Sequence, residues 1–244
     1  MPDAFLGLIV AIGVSLLIGA FARKIVGDQD WPLLGWPGRR APLRWQIVTA
    51  VVAAVLCGGY LLSRGPVAEA AIDPQPMLTL RMAAQMTAVA VLAGATPALA
   101  YFDVRLHRLP DRIVLPMTGL VLLLAGVGAL TGAGFALPAP ELLRPFLAAI
   151  LLAGLFAVIY LIPRSGLGLG DVKLMLPIGI ITGFSSWLTV IGAVYAGVLF
   201  AGLAAAALLV TKRRRGTDPI AYGPFLLLGA WTAVIGSLWL SVGS

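Results

Sequence analysis

Two aspartates that adjoin long apolar segments are the side chains of this sequence best placed to carry acid–base chemistry. Asp103 follows the apolar run 84–102, and Asp171 precedes the run 172–186. An ionisable group at such a depth is costly, and it usually faces a bundle interior or a water-filled cavity. We interpret both as candidate functional residues, against the alternative that each is a solvated helix-end residue at the level of the lipid headgroups.

The residues before Asp171 form a Gly-x-Gly-Asp pattern. Gly168 and Gly170 alternate with leucines, and Lys173 follows the aspartate. Glycines permit the close approach of another chain, and an aspartate can cap the helix that follows it. The pattern indicates either a place where extended substrate backbone is admitted or a flexible linker that ends in a helix cap.

The segment after Asp103 predicts a change of chain direction. Pro110 disfavours helix at Leu109, so one helix is expected to end here and the next to hold Pro110 in its first turn. Asp111 is then a first-turn helix residue rather than a catalyst. His107 lies in a basic loop, and we expect it to be solvated rather than a metal ligand.

The composition predicts a protein embedded in a membrane. Of the 244 residues, 60% are hydrophobic and 11% are charged, whereas a soluble domain carries roughly 25% charged residues. A bilayer core about 30 Å thick is crossed by about 20 apolar residues of helix. The sequence therefore predicts an all-α, polytopic integral membrane helical bundle of about eight transmembrane helices, at 4–22, 46–62, 84–102, 113–132, 146–162, 172–186, 187–210 and 222–241.

The distribution of basic residues predicts the orientation of this bundle. Fourteen of the 17 Lys and Arg residues fall in one set of alternate loops. By the positive-inside rule that set faces the cytoplasm, and both termini lie outside. Residues 172–210 must divide into two spans near 183–186, because a single span would place the Lys212–Arg215 cluster outside. Asp103 and Asp171 then both lie at the cytoplasmic face.

Composition also limits the partners and cofactors. A net charge of +7 would suggest nucleic acid as the partner of a soluble protein, but in a membrane protein it indicates cytoplasmic loops, so we expect the lipid bilayer as partner and no nucleic acid. Cys57 is the one cysteine and His107 the one histidine. An intrachain disulfide and a multi-cysteine metal site are therefore excluded, and we expect no metal and no other cofactor.

Three segments together resemble the type IV prepilin peptidases, which are membrane aspartic proteases of the Gly-x-Gly-Asp class. The likeness covers roughly residues 85–240 in order and spacing, and it is far more specific than any one motif. The matching residues are Asp103 with Pro110, Asp111 and the run 113–124, then 168–174 with Gly179 and Gly183, then 222–230.

The resemblance implies that Asp103 and Asp171 form a catalytic pair, with Gly168, Gly170 and Lys173 in support. The chain is then a single membrane domain, 1–244, with N-terminal spans in 1–83 and a peptidase core in 84–244. Two close carboxylates share a proton, so one can activate water while the other polarises the peptide carbonyl. The implied substrates are prepilin-like proteins with a basic cytoplasmic leader, a small residue before the cut and then an apolar helix. The implied location is the prokaryotic cytoplasmic membrane, with the active site facing the cytoplasm.

Residues 31–62 resemble a diverged form of the family's first cytoplasmic loop and second span. In many members that loop carries two cysteine pairs and accompanies N-methylation of the cleaved product. Here residues 36–40 occupy the region, and they include no cysteine. We therefore favour the protease activity without a methyltransferase activity.

Three other functions are compatible with two aspartates at helix ends. Presenilin-like and signal-peptide-peptidase-like proteases place Pro-Ala-Leu after the second aspartate, whereas here 97–99 precedes the first. A proton-coupled transporter would use the pair as a relay, although relay carboxylates usually lie nearer the middle of the membrane. A non-catalytic assembly scaffold would need neither carboxylate.

Overall fold

The computed structural model describes residues 2–36, 38–69, 76–133, 139–162, 167–210 and 221–242. Within these ranges every regular element is a helix, and a 3₁₀ turn covers Trp31–Leu34. The α-helices are α1 (Pro2–Ala20), α2 (Ala22–Val26), α3 (Leu43–Glu69), α4 (Pro76–Leu106), α5 (Asp111–Ala133), α6 (Ala139–Leu161), α7 (Leu169–Gly183), α8 (Trp187–Val210) and α9 (Gly223–Val242).

These helices confirm the predicted all-α membrane bundle. Each of the eight predicted spans overlaps one helix, either α1 or one of α3 to α9. The side of the membrane on which each terminus lies stays a prediction, and the Lys212–Arg215 cluster falls outside the described residues. Four helices of the described part are long and apolar enough to cross a membrane, namely Arg81–Leu106, Asp111–Leu130, Pro140–Leu161 and Trp187–Leu208, and shorter apolar helices cover Leu6–Ala20, Leu43–Gly58 and Gly223–Ser237.

The predicted division of 172–210 is present as a turn between α7 and α8. The guanidinium of Arg144, near the start of α6, donates hydrogen bonds of 2.7 Å to the Gly183 carbonyl, 3.1 Å to that of Phe184 and 2.9 Å to that of Ser185. The last carbonyls of a helix have no partner within the helix. Arg144 therefore satisfies the backbone at the point where α7 ends and the chain reverses.

Helices α6 and α7 pack backbone against backbone as an antiparallel pair. A Cβ on Gly179 would lie 2.6 Å from the Ala149 Cα, and a Cβ on Gly183 would lie 2.7 Å from the Pro145 Cα. Small residues spaced four apart on one face are the usual basis of such close packing in membranes. This packing fixes the position of α7 along α6, and with it the position of Asp171 in the first turn of α7.

Replacing Gly179 by alanine is expected to destabilise the protein by about 1–3 kcal/mol, because the added methyl group meets backbone that cannot move aside alone. Gly154 on α6 is the matched control, since a Cβ there meets no atom within 4 Å. Gly154→Ala should leave stability unchanged or raise it by up to about 1 kcal/mol. Thermal unfolding of the detergent-solubilised variants measures both effects, and equal melting temperatures would contradict the packing argument.

Several helix ends meet at one end of the bundle. The last turn of α4, the first turns of α5 and α7, the end of α2 with Gly27, and Asp30 surround a common cavity there. The first residue of α9, Gly223, reaches the same place through a hydrogen bond to Asp103. This end of the bundle contains both aspartates that the sequence singles out.

An aromatic cluster anchors the segment between α1 and α3 to the end of α4. Trp36 stacks on Tyr101 with ring centroids 5.5 Å apart, and Trp45 stacks on Phe102 at 5.9 Å. Buried aromatic pairs contribute about 0.5–1.5 kcal/mol beyond the area that they bury. The cluster thus holds this segment against the residues that directly precede Asp103.

Candidate active site

Asp103 lies in the last turn of α4 and is almost fully buried, with 5% of its surface exposed. Its Oδ2 accepts a hydrogen bond of 2.9 Å from the backbone N–H of Gly223, at the start of α9. The N–H groups of the first helical turn have no partner within the helix, and they favour an anion. The start of α9 therefore fixes one oxygen of Asp103.

Asp171 is the third residue of α7 and is likewise buried, with 6% of its surface exposed. Its Oδ2 accepts a hydrogen bond of 3.1 Å from the N–H of Gly168, and its own N–H donates to the Gly168 carbonyl at 3.1 Å. Within the described part of the chain its Oδ1 is buried and has no hydrogen-bond partner. A buried oxygen without a partner is costly, because it has lost its hydrogen bonds to water without gaining one from the protein.

The start of α7 differs from the sequence expectation. The sequence predicts a span from 172 that Asp171 can cap, but the helix begins at Leu169 and Gly168 is the N-cap. Gly168 has no side chain with which to cap the helix. The Asp171 carboxylate therefore reaches back to the Gly168 N–H from inside the first turn, which fixes its rotamer.

Both carboxylates line one cavity of about 520 Å³. Leu109 lies beside both supporting segments, because a Cβ added to Gly170 would lie 2.9 Å from the Leu109 Cβ and one added to Gly223 would lie 3.5 Å from the Leu109 Cδ1. Asp103 and Asp171 were each singled out from the sequence separately. They are 68 positions apart in the chain, and the fold brings both to the same cavity.

Lys173 does not pair with Asp171. Its Nζ lies 2.8 Å from both carboxylate oxygens of Asp111, the first residue of α5. The pair is partly exposed, so its net contribution to stability is about 0–1 kcal/mol. Its effect is to tie the start of α7 to the start of α5 at the mouth of the cavity.

His107 directly follows α4 and lines the cavity. Its side chain is exposed, as the sequence predicts. Its backbone N–H donates a hydrogen bond of 2.8 Å to the backbone carbonyl of Asp103. Its φ of 50° lies in the left-handed region, which non-glycine residues adopt at helix ends. In the described residues no three His, Cys, Asp or Glu side chains gather at one point, so these residues offer no ligand set for a metal ion.

The two glycines of the Gly-x-Gly-Asp pattern have different environments. A Cβ on Gly170 would lie 2.9 Å from the Leu109 Cβ and 3.4 Å from the Leu109 backbone nitrogen. A Cβ on Gly168 would meet only the Asp171 Oδ2 at 3.4 Å and the Gly170 nitrogen at 3.8 Å. The close approach that the glycines permit is therefore made by this chain's own Leu109, and it depends on Gly170.

Replacing Gly170 by alanine is expected to lower activity by about tenfold to a hundredfold, because small displacements of a catalytic group have effects of this size. The methyl group would push Leu109 away from α7 and so move Asp171 relative to Asp103. Gly168→Ala adds the same methyl group at ordinary contact distance and should retain most activity. Steady-state cleavage rates of the two variants test this difference, and a larger loss in Gly168→Ala would contradict it.

Gly223 is a residue of the site to which sequence reasoning gives no role, although it lies in the segment 222–230 that carries part of the family resemblance. The segment Tyr222-Gly223-Pro224 indicates a helix start, since proline favours the first turn. Nothing in that local signal shows that the Gly223 N–H meets a carboxylate 120 positions earlier in the chain. A Cβ at Gly223 would lie 2.8 Å from the Asp103 Oδ2, so only glycine leaves room for this contact.

Comparison with known proteins gives one match. The model of a family described as the type IV leader peptidase family matches residues 90–212, which is half of the chain and includes both aspartates. No curated protein and no solved structure matches the chain.

Proposed function

Because the chain belongs to the type IV leader peptidase family, and so is a membrane-embedded protease, we propose that it is an aspartic endopeptidase that removes the leader from prepilin-like proteins. Asp103 and Asp171 are the proposed catalytic pair. The observation that carries this proposal is their shared position: two buried carboxylates from different helices line one cavity.

The proposed mechanism uses one protonated and one ionised carboxyl group. The ionised carboxylate takes a proton from water as the water oxygen attacks the carbonyl carbon, while the protonated carboxyl group donates its proton to the carbonyl oxygen. The resulting diol collapses when the first group protonates the amide nitrogen and the second takes back a hydroxyl proton. Both groups return to their starting states, and the pair titrates as a unit.

The unpartnered Oδ1 of Asp171 supports this mechanism. The Oδ2 atoms of the two carboxylates are held by backbone N–H groups, of Gly223 for Asp103 and of Gly168 for Asp171. The hydrogen bonds fix each side chain without consuming all of its oxygens. The arrangement thus leaves carboxylate oxygens to hold a water molecule and a proton in a defined geometry.

The proposed substrates have a short basic leader, a small residue before the cut and an apolar helix after it. The position of the cavity supports this, because it lies at the ends of the helices rather than in the middle of the bundle. A peptide bond at the junction of a polar leader and an apolar helix would lie at this level when the helix is in the membrane. The proposed location is the prokaryotic cytoplasmic membrane with the cavity facing the cytoplasm, which the basic loops favour.

The experiment that tests the proposal is cleavage of a purified prepilin-like protein by the purified chain in detergent. Loss of the leader, read from the mass of the product, is the expected result, and it requires no ion gradient. The same mass shows whether the new N-terminus carries a methyl group, which we expect it to lack. Absence of cleavage across several prepilin-like proteins, by a protein that remains folded, would reject the protease and leave the proton relay as the better explanation.

A further inference from the structure

A strongly basic pocket of about 620 Å³ lies beside the candidate active site. Asp28 is the acidic residue of its described lining and pairs with Arg23 at 2.6 Å, so the lining keeps a net formal charge of +4. Like charges gathered in one place repel each other, and an anion between them removes this cost. The basic side chains of this pocket are Arg23, Lys24, Arg39, Arg40 and Arg112.

An apolar groove of about 390 Å³ runs along the outside of the bundle next to this pocket. Helices α1 and α5 form its walls, and Val91 and Ala95 of α4 form its floor. Leu17 and Leu120 line it and are exposed, so the groove is open along one side. Its lining is almost entirely apolar, which suits a hydrocarbon chain.

The pocket and the groove are continuous. Phe21 and Arg112 line both of them. Arg112 is also held in place, because its Nη1 donates a hydrogen bond to the Lys24 carbonyl. The junction therefore presents a positioned guanidinium at the boundary between an apolar groove and a basic pocket.

We infer that the groove and the basic pocket together bind one anionic phospholipid, with an acyl chain between α1 and α5 and the phosphate among the arginines. An amphiphile with one negatively charged end is the chemistry that this pair of surfaces matches. Clusters of basic side chains at the ends of membrane helices attract anionic headgroups by about 1 kcal/mol for each cation. The site is distinct from the proposed catalytic pair, so the inference does not depend on the protease activity.

The charge of the pocket favours a lipid over the substrate as occupant. The leader of the proposed substrate is basic, and a lining with a net charge of +4 repels it. A zwitterionic lipid would fill the groove but would gain less from the arginines. An anionic lipid is the occupant that gains from both surfaces.

The test is lipid retention by the purified protein, measured by native mass spectrometry with phosphatidylglycerol or phosphatidylcholine added. We expect preferential retention of phosphatidylglycerol. Arg40→Gln should weaken that retention about fivefold, and the Arg39→Gln, Arg40→Gln double variant about twentyfold. Arg44→Gln is the matched control. Arg44 is exposed like Arg39 and Arg40 and lies only four residues after Arg40, but it does not line the pocket, so this substitution should change lipid retention little.

The apolar half of the site has its own pair of variants. Leu120→Trp places a bulky ring in the open side of the groove and should reduce phosphatidylglycerol retention, whereas Leu122→Trp alters an equally exposed position of α5 outside the groove and should not. Thermal melting of each variant identifies any that fail to fold. Inorganic phosphate is the competitor that separates a lipid from a free anion, and we expect it not to displace phosphatidylglycerol at low millimolar concentration.

Three results would overturn the inference. The first is equal retention of the two lipids. The second is equal loss of retention in Arg40→Gln and Arg44→Gln, which would indicate a general surface charge effect. The third is displacement by inorganic phosphate with Leu120→Trp unaffected, which would indicate a simple anion site. None of these results bears on prepilin cleavage, so failure here is distinguishable from failure of the proposed activity.

Discussion

Replacing Asp103 or Asp171 by asparagine is expected to lower the rate of leader cleavage by about 10²- to 10⁴-fold, the usual contribution of general acid–base catalysis. Asparagine keeps the size of aspartate, and its side-chain oxygen can still accept the N–H of Gly223 or Gly168. It cannot exchange a proton with water or with the peptide. The double variant should lose no more than either single variant, because groups that act as a unit have non-additive effects.

The melting temperatures of these two variants give an independent test of the site. Both carboxylates are buried, and burial of a charged group is costly, so removing it should leave the melting temperature unchanged or raise it. Asp28→Asn is the control, because Asp28 is exposed and does not line the cavity that contains Asp103 and Asp171. If either the Asp103 or the Asp171 variant inserts correctly into the membrane and still cleaves substantially, the proposal that these two residues form a catalytic pair is rejected.

Replacing Gly223 by alanine is expected to lower the turnover rate by about tenfold to a hundredfold with little change in stability. The new methyl group would lie 2.8 Å from the Asp103 Oδ2. That atom is the tip of a side chain, so it can rotate away without strain in the backbone. The rotation breaks the hydrogen bond between the Asp103 carboxylate and the Gly223 N–H, and it moves the carboxylate within the cavity that Asp171 also lines.

Gly236 on the same helix is the matched control for this prediction. A Cβ there meets no atom within 4 Å, so Gly236→Ala should keep full activity and gain up to about 1 kcal/mol in stability. Comparing turnover rates and melting temperatures of the two variants separates a loss of catalytic geometry from a loss of fold. If Gly223→Ala retains normal turnover, the N–H of residue 223 does not position Asp103.

The fold could be predicted from the sequence because membrane insertion depends on local properties. A run of about 20 apolar residues forms a helix in the bilayer whatever its neighbours are. The two aspartates could also be identified as candidate functional residues, since placing a carboxylate beside such a run is energetically costly. Even the turn near 183–186 followed from counting basic residues, and the structure separates α7 from α8 at that point.

The contacts around the candidate site could not be predicted in this way. Lys173 was expected to support Asp171, yet it pairs with Asp111 of a different helix. The sequence allows Asp171 to cap a helix that starts at 172, whereas the helix begins three residues earlier, at Leu169. The role of Gly223 had no local signal, because its partner lies 120 positions away.

The sequence by itself thus determined that the chain is a membrane helical bundle with two aspartates at helix ends, because hydrophobicity and charge act over a few residues at a time. Only the tertiary structure decided that the two carboxylates line one cavity and that Gly170 and Gly223 make room for Leu109 and Asp103. The physical reason is the range of the forces involved. Steric contacts and hydrogen bonds between helices act over 3–4 Å, and which atoms come that close depends on how all of the helices pack.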